Sequence, residues 1–221
     1  MNFTAFDILK KSILAAFGLF VFAFGVYLTI EAAIGAAPWD VLNLGISNTT
    51  GIKYGTANIG VGLIILIIDV LLREKIGLGM FLDVAVVGKS VDFFMWLDIV
   101  PPDLAIYIAV PVMLIGLAIE GLGQFIYMKA GLGCGPRDSL LVGLSRRLPK
   151  IPIGVISIAL LTVATLVGWF LTGPVGLGTL ICAFGTGPIM QLVFTVLKFK
   201  PTSVLHLDLI DTGKILFKKT E

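Results

Sequence analysis

Long apolar runs, separated by short polar segments, account for most of the chain. A helix needs about 20 apolar residues to cross the hydrocarbon of a bilayer, and six runs are that long or nearly so. These runs are Ile13–Ile30, Tyr54–Leu72, Leu78–Leu97, Leu104–Met128, Ile151–Thr172 and Val175–Leu197. Two further segments, Pro38–Thr50 and Pro136–Leu148, are only partly apolar and too short to cross. The pattern therefore predicts six membrane-spanning helices and two short helices.

The composition supports a membrane protein. Hydrophobic residues make up 57% of the chain, charged residues only 14%, and the mean hydropathy is +1.05. Soluble domains are about 25% charged, so this composition excludes a water-soluble globular protein and a disordered chain. The net charge of +2 comes without a basic arm, which argues against nucleic-acid binding. With two cysteines and one histidine, we expect no metal site, no cofactor and no catalytic residue.

The basic residues indicate which ends of the predicted spans face the cytoplasm. Lysine and arginine are enriched in cytoplasmic loops of membrane proteins. With the N-terminus inside, all 16 lysines and arginines except Lys53 and Lys89 lie in cytoplasmic segments. The reverse orientation would place nearly all of them on the translocated side. We therefore predict a multi-pass membrane protein with both termini in the cytoplasm.

Two halves of the chain resemble each other. Ile34–Leu42 aligns with Leu132–Leu140 at a shift of 98, and Gly77–Gly79 aligns with Gly176–Gly178 at a shift of 99. We expect one membrane domain over residues 1–221, made of repeat 1 (13–98), repeat 2 (111–197) and a cytoplasmic tail (198–221). Each repeat holds three spans, an odd number, so the second repeat is inverted in the membrane relative to the first.

The predicted fold is thus an all-α integral membrane protein of six transmembrane helices in two inverted three-span repeats. Each repeat carries a G-x-x-P-x-D motif that begins its short helix. The equivalent pairs are Pro38 and Pro136, Trp39 and Arg137, and Asp40 and Asp138. Proline suits a first helical turn, and an acidic residue there complements the positive end of the helix. The short helices are interfacial in one interpretation. In the other they are re-entrant, with their N-termini directed at a solute.

These residues also carry a resemblance to a family. Ala32–Leu42 followed by Gly51 and Gly55, Gly77–Gly79 and Gly135–Asp138 resemble the YczE/YyaS/YitT family of bacterial integral membrane proteins. The resemblance covers roughly residues 13 to 198. It implies a multi-span protein of the bacterial plasma membrane, in a family whose members are described as permeases or as uncharacterised. It carries over no substrate and no catalytic residue.

A charged residue inside a predicted span needs either an opposite charge or a functional role. Its insertion at the bilayer centre costs at least about 2.5–3.5 kcal/mol. Lys89 and Asp92 lie in the third span, and Glu120 lies in the fourth. Lys89 can form a neutralising pair with Glu120 or Asp92. Alternatively, one of these carboxylates binds a coupling proton or sodium ion. Asp69 and Asp83 flank an inner loop, and we interpret them as partners of its basic residues.

The third and sixth spans are predicted to border a central pathway. Gln191 in the sixth span is equivalent to Asp92 in the third. Gly185, Gly187 and Pro188 are predicted to interrupt the sixth span and to free backbone carbonyls at depth. Freed carbonyls are tolerated within a membrane where they line a wet cavity.

Two classes of function remain open. Inverted repeats are typical of secondary transporters. For a secondary transporter, the expected partners are the lipid bilayer, a small polar solute, for which an anion is one alternative, and H⁺ or Na⁺ as a coupling ion. Lys89→Ala or Glu120→Gln is then expected to abolish flux. The alternative is a non-transporting accessory or sensor protein that binds a lipid or a protein. A membrane enzyme is disfavoured because no paired acids with a nearby histidine, no nucleophile elbow and no metal cluster are apparent. A homo-oligomer is left open.

Overall fold

The computed structural model describes residues 4–201, 204 and 206–217, and these residues form nine α-helices and no strand. The helices are α1 (Ala5–Glu31), α2 (Pro38–Thr50), α3 (Tyr54–Leu71), α4 (Leu78–Leu97), α5 (Ile106–Ala130), α6 (Pro136–Arg147), α7 (Ile153–Phe170), α8 (Leu177–Val196) and α9 (Leu209–Phe217). Residues 202, 203, 205 and 218–221 of the predicted tail lie outside the described residues. The predicted all-helical class is confirmed.

Five helices are long and apolar enough to cross a membrane, namely α1, α3, α5, α7 and α8. The chain is therefore a multi-pass membrane protein whose spans contact the lipid bilayer. Helix α4 is as long as α8, at 20 residues each, but it carries three charged residues, Asp83, Lys89 and Asp92, in its interior.

Most helix boundaries follow local signals in the sequence. Pro38 and Pro136 begin the two short helices, as predicted. Helix α1 begins eight residues earlier than the apolar run at Ile13, because Thr4 and Asp7 form a capping box. In this box the Asp7 carboxylate accepts from the Thr4 backbone N–H at 2.8 Å. Polar capping thus extends α1 beyond its apolar segment.

The predicted break in the last span does not interrupt α8. Gly185, Gly187 and Pro188 all lie inside the continuous helix. Proline removes one backbone hydrogen bond, and a membrane helix tolerates such a loss where nearby groups satisfy the freed atoms. One polar group in this turn is paired locally, since the Thr186 hydroxyl donates to the Cys182 carbonyl at 2.7 Å.

Helices α1 and α5 pack antiparallel with their backbones in contact. Gly18 lies against Gly123, and Gly25 lies against Gly116. A Cβ atom added to Gly25 would lie only 2.6 Å from the Gly116 carbonyl oxygen and 2.6 Å from the Glu120 nitrogen. Glycine at these positions is what allows the two long helices to approach so closely.

The two halves of the chain are joined by a reciprocal pair of backbone hydrogen bonds. The Gly178 N–H donates to the Ile34 carbonyl at 2.7 Å, and the Gly79 N–H donates to the Leu132 carbonyl at 2.7 Å. Ile34 is the repeat equivalent of Leu132, and Gly79 is the equivalent of Gly178. The turn before each short helix therefore binds the start of the last long helix of the other half.

The described part of the tail packs at one end of the bundle. The Leu207 N–H donates to the Gly131 carbonyl at 2.9 Å, and the Leu209 N–H donates to the Ile76 carbonyl at 2.8 Å. Nearby, Arg146 forms an ion pair with Glu74 at 2.8 Å. This end of the bundle therefore gathers the end of α5, the α3–α4 loop, the end of α6 and the tail.

Candidate functional site

A cavity of about 760 Å³ lies at the centre of the bundle, and residues from each of helices α1 to α8 line it. This volume is typical of small-molecule sites. Its polar lining consists of Trp39, Asp40, Tyr54, Asn58, Asp83, Gln124, Glu120, Tyr127, Cys134, Arg137, Asp138, Ser157, Cys182, Thr186 and Gln191. The rest of the lining is mostly aliphatic and aromatic, so the cavity combines an apolar wall with a small number of charged groups.

Both short helices begin at this cavity. Pro38 and Pro136, the first residues of α2 and α6, line it. The residues that follow them are close together: the Arg137 guanidinium carbon lies 5.3 Å from the centroid of the Trp39 ring. The first N–H groups of a helix have no partner within the helix and carry partial positive charge. Two such helix ends therefore meet at one place.

A hydrogen-bond network holds the guanidinium group of Arg137. The Arg137 Nη2 atom donates to Asn58 Oδ1 at 2.7 Å, and the Asn43 amide donates to the same oxygen at 2.9 Å. Next to this network, the Tyr54 hydroxyl donates to Asp40 Oδ1 at 2.8 Å. Since Asn43, Asn58 and Asp40 are all buried, the network fixes the starts of α2, α3 and α6 relative to one another.

The Glu120 side chain faces the cavity and has one long hydrogen-bond contact with the described protein. Its side chain is 8% exposed, and its Oε1 atom lies 3.4 Å from the Thr29 hydroxyl. That hydroxyl also donates to the Val26 carbonyl at the shorter distance of 2.8 Å. One hydroxyl proton cannot serve both acceptors. The Glu120 carboxyl group therefore has no strong protein donor among the described residues.

Asp83 and Asp138 also line the cavity, next to Gly135. A Cβ atom added to Gly135 would lie 2.9 Å from Asp83 Oδ2 and 4.0 Å from Asp138 Oδ2. Asp138 is exposed, and its side chain borders the cavity. Arg137 borders the same cavity as Asp83, Asp138 and Glu120. No ion pair within 4 Å joins it to any of them.

Lys89 and Asp92 do not border the cavity. Lys89 is exposed on the outer face of α4, and within the described residues it pairs with neither Glu120 nor Asp92. Asp92 Oδ1 instead accepts the Gly55 N–H at 2.7 Å, at the start of α3. A carboxylate stabilises an unpaired N–H group and the positive end of a helix at such a position. The expected neutralising pair is therefore absent from the structure.

The interpretation of Asp69 and Asp83 as surface partners of loop arginines and lysines is also incorrect. Asp83 lines the cavity. Asp69 is fully buried in α3, and neither of its carboxylate oxygens has a hydrogen-bond partner within the described part of the chain. Both residues are near the loop in sequence, but a helical turn directs their side chains inward.

Equivalent positions of the two repeats both line the cavity. The repeat therefore identifies lining residues that lie outside the G-x-x-P-x-D motif. Asp83 is equivalent to Cys182, Asn58 to Ser157, and Gln124 to Val26. Every one of these positions lines the cavity. Of the residues predicted for the site, the lining includes Pro38, Trp39, Asp40, Glu120, Pro136, Arg137, Asp138, Gln191 and Gly187. Gly185 and Pro188 lie on α8 outside this lining.

Both cysteines border the cavity, and neither forms a disulfide. Burial raises the pKa of the Cys134 thiol, and the nearby Asp138 charge raises this pKa further. Cys134 therefore carries its proton at neutral pH and reacts slowly with thiol reagents.

The two halves of the bundle differ in how closely their last two long helices pack against each other. Helices α3 and α4 pack closely, and a Cβ atom added to Gly88 would lie 2.6 Å from the Gly55 carbonyl oxygen. The equivalent residues, Gly154 on α7 and Gly187 on α8, have open space around them. Helices α7 and α8 make at most marginal contact within the described chain. The cavity is therefore closed between α3 and α4 and open between α7 and α8.

The chain matches a known family over most of its length. A family model described as "Family of unknown function (DUF6198)" matches residues 9–195. The chain belongs to this family. The DUF6198 match includes both short helices and every residue of the candidate site named above.

This DUF6198 protein is similar to three uncharacterised bacterial proteins over most of their length. The chain is 33% identical over 177 residues to "Uncharacterized membrane protein YczE" of Bacillus subtilis, covering 79% of this chain and 80% of the relative. It is 26% identical to "Uncharacterized protein YyaS" of Bacillus subtilis, over 82% of this chain and 90% of the relative. An "Uncharacterized protein" of Haemophilus influenzae is 29% identical over 84% of each chain. The predicted resemblance to YczE and YyaS is confirmed. No solved structure matches the chain significantly.

Proposed function

We propose that this DUF6198 protein is a secondary transporter of the bacterial plasma membrane that moves a small solute through the central cavity by alternating access. The observation that carries the proposal is the meeting of two short-helix N-termini at an accessible, charged cavity inside a bundle of apolar helices. Half-helices that end near the bilayer centre form the solute sites of many carriers. The proposal assigns no enzymatic activity and no cofactor.

Part of the proposal is that the chain forms six spans in two inverted repeats, with α4, the third span along the chain, crossing the membrane in addition to the five most apolar helices. The antiparallel packing of α1 on α5 supports inversion, because equivalent helices of inverted repeats run in opposite directions. The reciprocal hydrogen bonds of Gly79 and Gly178 support the same symmetry. The distribution of lysine and arginine favours cytoplasmic N- and C-termini.

The difference between the two halves suggests how access alternates. In an inverted pair, each half adopts the other's conformation when the transporter changes state. In the second state α7 closes on α8 through Gly154 and Gly187, while α3 separates from α4 at Gly55 and Gly88. Gln191 then takes the place of Asp92, with its amide oxygen accepting the N–H at the start of α7. The solute thus reaches the cavity from one side at a time.

Flux through purified protein tests this function. In proteoliposomes on a solid-supported membrane, we expect at least one solute from a panel of tetraphenylphosphonium, choline, acetate and phosphate to produce a protein-dependent current. Glu120→Gln is expected to reduce that current about tenfold or more, because Glu120 lines the cavity. Lys89→Ala is the matched control, since Lys89 is charged but lies outside the cavity, and it is expected to keep the current.

The alternative, an accessory or sensor protein, predicts a different result. A panel member would then raise the thermal unfolding midpoint by binding without producing a current under any gradient. Equal loss of current in Glu120→Gln and Lys89→Ala would also contradict the proposed path, because only one of these residues borders the cavity.

A further inference from the structure

The charge of the central cavity is predominantly acidic. Asp40, Asp83, Asp138 and Glu120 all line it. Among the lining residues in the described part of the chain, Arg137 is the one with a basic side chain. A cavity with four carboxyl groups and one guanidinium group attracts cations and repels anions.

The positive groups of the cavity have polar or acidic neighbours. Arg137 donates to Asn58 and lies over the ring of Trp39. The N-termini of α2 and α6 each carry their own acidic residue in the first turn, Asp40 and Asp138. An acidic residue at this position complements the positive end of the helix. An anionic solute, the alternative raised by the sequence, would therefore have to displace these contacts and approach the carboxyl groups.

Glu120 is the carboxyl group best placed to receive a cation. It lies nine-tenths buried in α5 and faces the cavity, and its one contact with a hydroxyl group is the long distance to Thr29. A carboxylate at this depth needs a counter-charge, since its desolvation is expensive. A cationic solute in the cavity supplies that counter-charge.

The rest of the lining suits an apolar or aromatic group. Phe22, Leu117, Met190 and Phe194 border the cavity, and the Trp39 ring lies beside the charged network. Aromatic faces bind organic cations through cation–π interactions. The solute therefore needs apolar surface as well as a positive charge.

The opening of the cavity faces the bilayer. It lies between α7 and α8, both of which are apolar enough to span the membrane. Their outer faces carry exposed apolar side chains, including Ile158 at 65% and Phe184 at 78% exposure. Gly187 and Gln191 of α8 line the cavity and are also exposed. A solute dissolved in the lipid can reach the cavity through this gap.

We propose that the solute is a hydrophobic organic cation, such as an aromatic ammonium or phosphonium compound, which enters from the bilayer between α7 and α8 and binds beside Glu120 and Trp39. This inference rests on the cavity that the proposed function assigns to the solute. It specifies the charge and polarity of the solute, which the proposed function leaves open.

Equilibrium binding of tetraphenylphosphonium to the full-length protein in detergent tests the proposal. We expect saturable binding of this cation and no saturable binding of tetraphenylborate, an anion of nearly the same size and shape. Glu120→Gln is expected to weaken cation binding about 30-fold or more, and Trp39→Ala about 3- to 30-fold. Lys89→Ala is expected to bind as the parent protein does.

Three further variants keep the test decisive if Glu120→Gln fails to fold. Glu120→Asp keeps the charge and should bind more tightly than Asp83→Asn, which removes one of the cavity carboxylates. Gly187→Phe adds a ring where the glycine has open space, so it should fold and slow the association of tetraphenylphosphonium. Tighter binding of tetraphenylborate than of tetraphenylphosphonium, or unchanged cation binding in folded Glu120→Gln, would overturn the proposal.

The failure of this inference differs from the failure of the proposed function. Binding of tetraphenylphosphonium with neither a protein-dependent current nor protein-dependent uptake of the labelled cation would support the cation site and contradict transport. Currents carried by acetate or phosphate but not by the cation would support transport and contradict the cation site.

Discussion

Gly25→Leu is expected to leave little folded protein. A side chain at Gly25 would enter the backbone of α5, where the Gly116 oxygen and the Glu120 nitrogen are each 2.6 Å from the position of the added Cβ. Overpacking typically costs about 1–3 kcal/mol when neighbouring side chains can move. Here the neighbours are backbone atoms that cannot move without separating the two helices. We therefore expect a loss of about 3 kcal/mol or more, measured as the thermal unfolding midpoint in detergent.

Gly60→Leu is the control for this prediction. Gly60 also lies within a long apolar helix, α3, but an added Cβ there meets no described atom within 4 Å. We expect Gly60→Leu to elute as a single peak with an unfolding midpoint close to that of the parent protein. An equal midpoint for the two leucine variants would show that α1 does not pack on α5 through this glycine.

Asn58→Leu is expected to have the second large effect. The Asn58 side chain is 5% exposed, and its Oδ1 atom accepts from both Arg137 and Asn43. Leucine has a similar volume but leaves both donors without an acceptor. An unsatisfied buried donor costs about 1–3 kcal/mol, and a charged one costs more. We expect a loss of about 3–5 kcal/mol in the free energy of unfolding, measured by chemical denaturation in detergent.

Two control variants distinguish the loss of the buried hydrogen bonds from the effect of replacing an asparagine in general. Asn48 on α2 is exposed and donates to the Thr172 carbonyl at 3.1 Å, so Asn48→Leu should change stability by less than about 1 kcal/mol. Asn58→Asp keeps the acceptor oxygen for Arg137 and should retain most of the stability. If Asn48→Leu and Asn58→Leu were equally destabilising, the network would not hold the helix starts together.

The helices themselves could be predicted well from the sequence. Pro38 and Pro136 fix φ and lack an N–H group, so each begins a helix wherever the apolar pattern allows one. The start of α1 was predicted too late because apolar length was the criterion, whereas the capping box at Thr4 and Asp7 decides the boundary. Local chemistry thus sets the ends of these helices more closely than hydropathy does.

The lining of the cavity could be predicted only in part. Trp39 and Arg137 were found because the repeat places them at equivalent motif positions, and they lie together in the structure. The expected pair of Lys89 with Glu120 or Asp92 is wrong because a membrane helix is apolar towards lipid and towards protein alike. Hydropathy therefore does not distinguish the two faces of α4. Asp83 was missed because its nearness in sequence to loop arginine and lysine residues suggested a surface pair.

The central claim is that the starts of two short helices, one from each half of the chain, meet at one accessible cavity. The most direct test introduces Trp39→Cys and Arg137→Cys in a Cys134→Ser, Cys182→Ser background and treats membrane vesicles with a flexible bifunctional thiol reagent long enough to span the two side chains that are replaced. We expect efficient intramolecular cross-linking of this pair, and none for a cysteine pair at Trp39 and Trp96, since Trp96 is exposed near the C-terminal end of α4. Modification of both cysteines at positions 39 and 137 without any cross-link between them would contradict it.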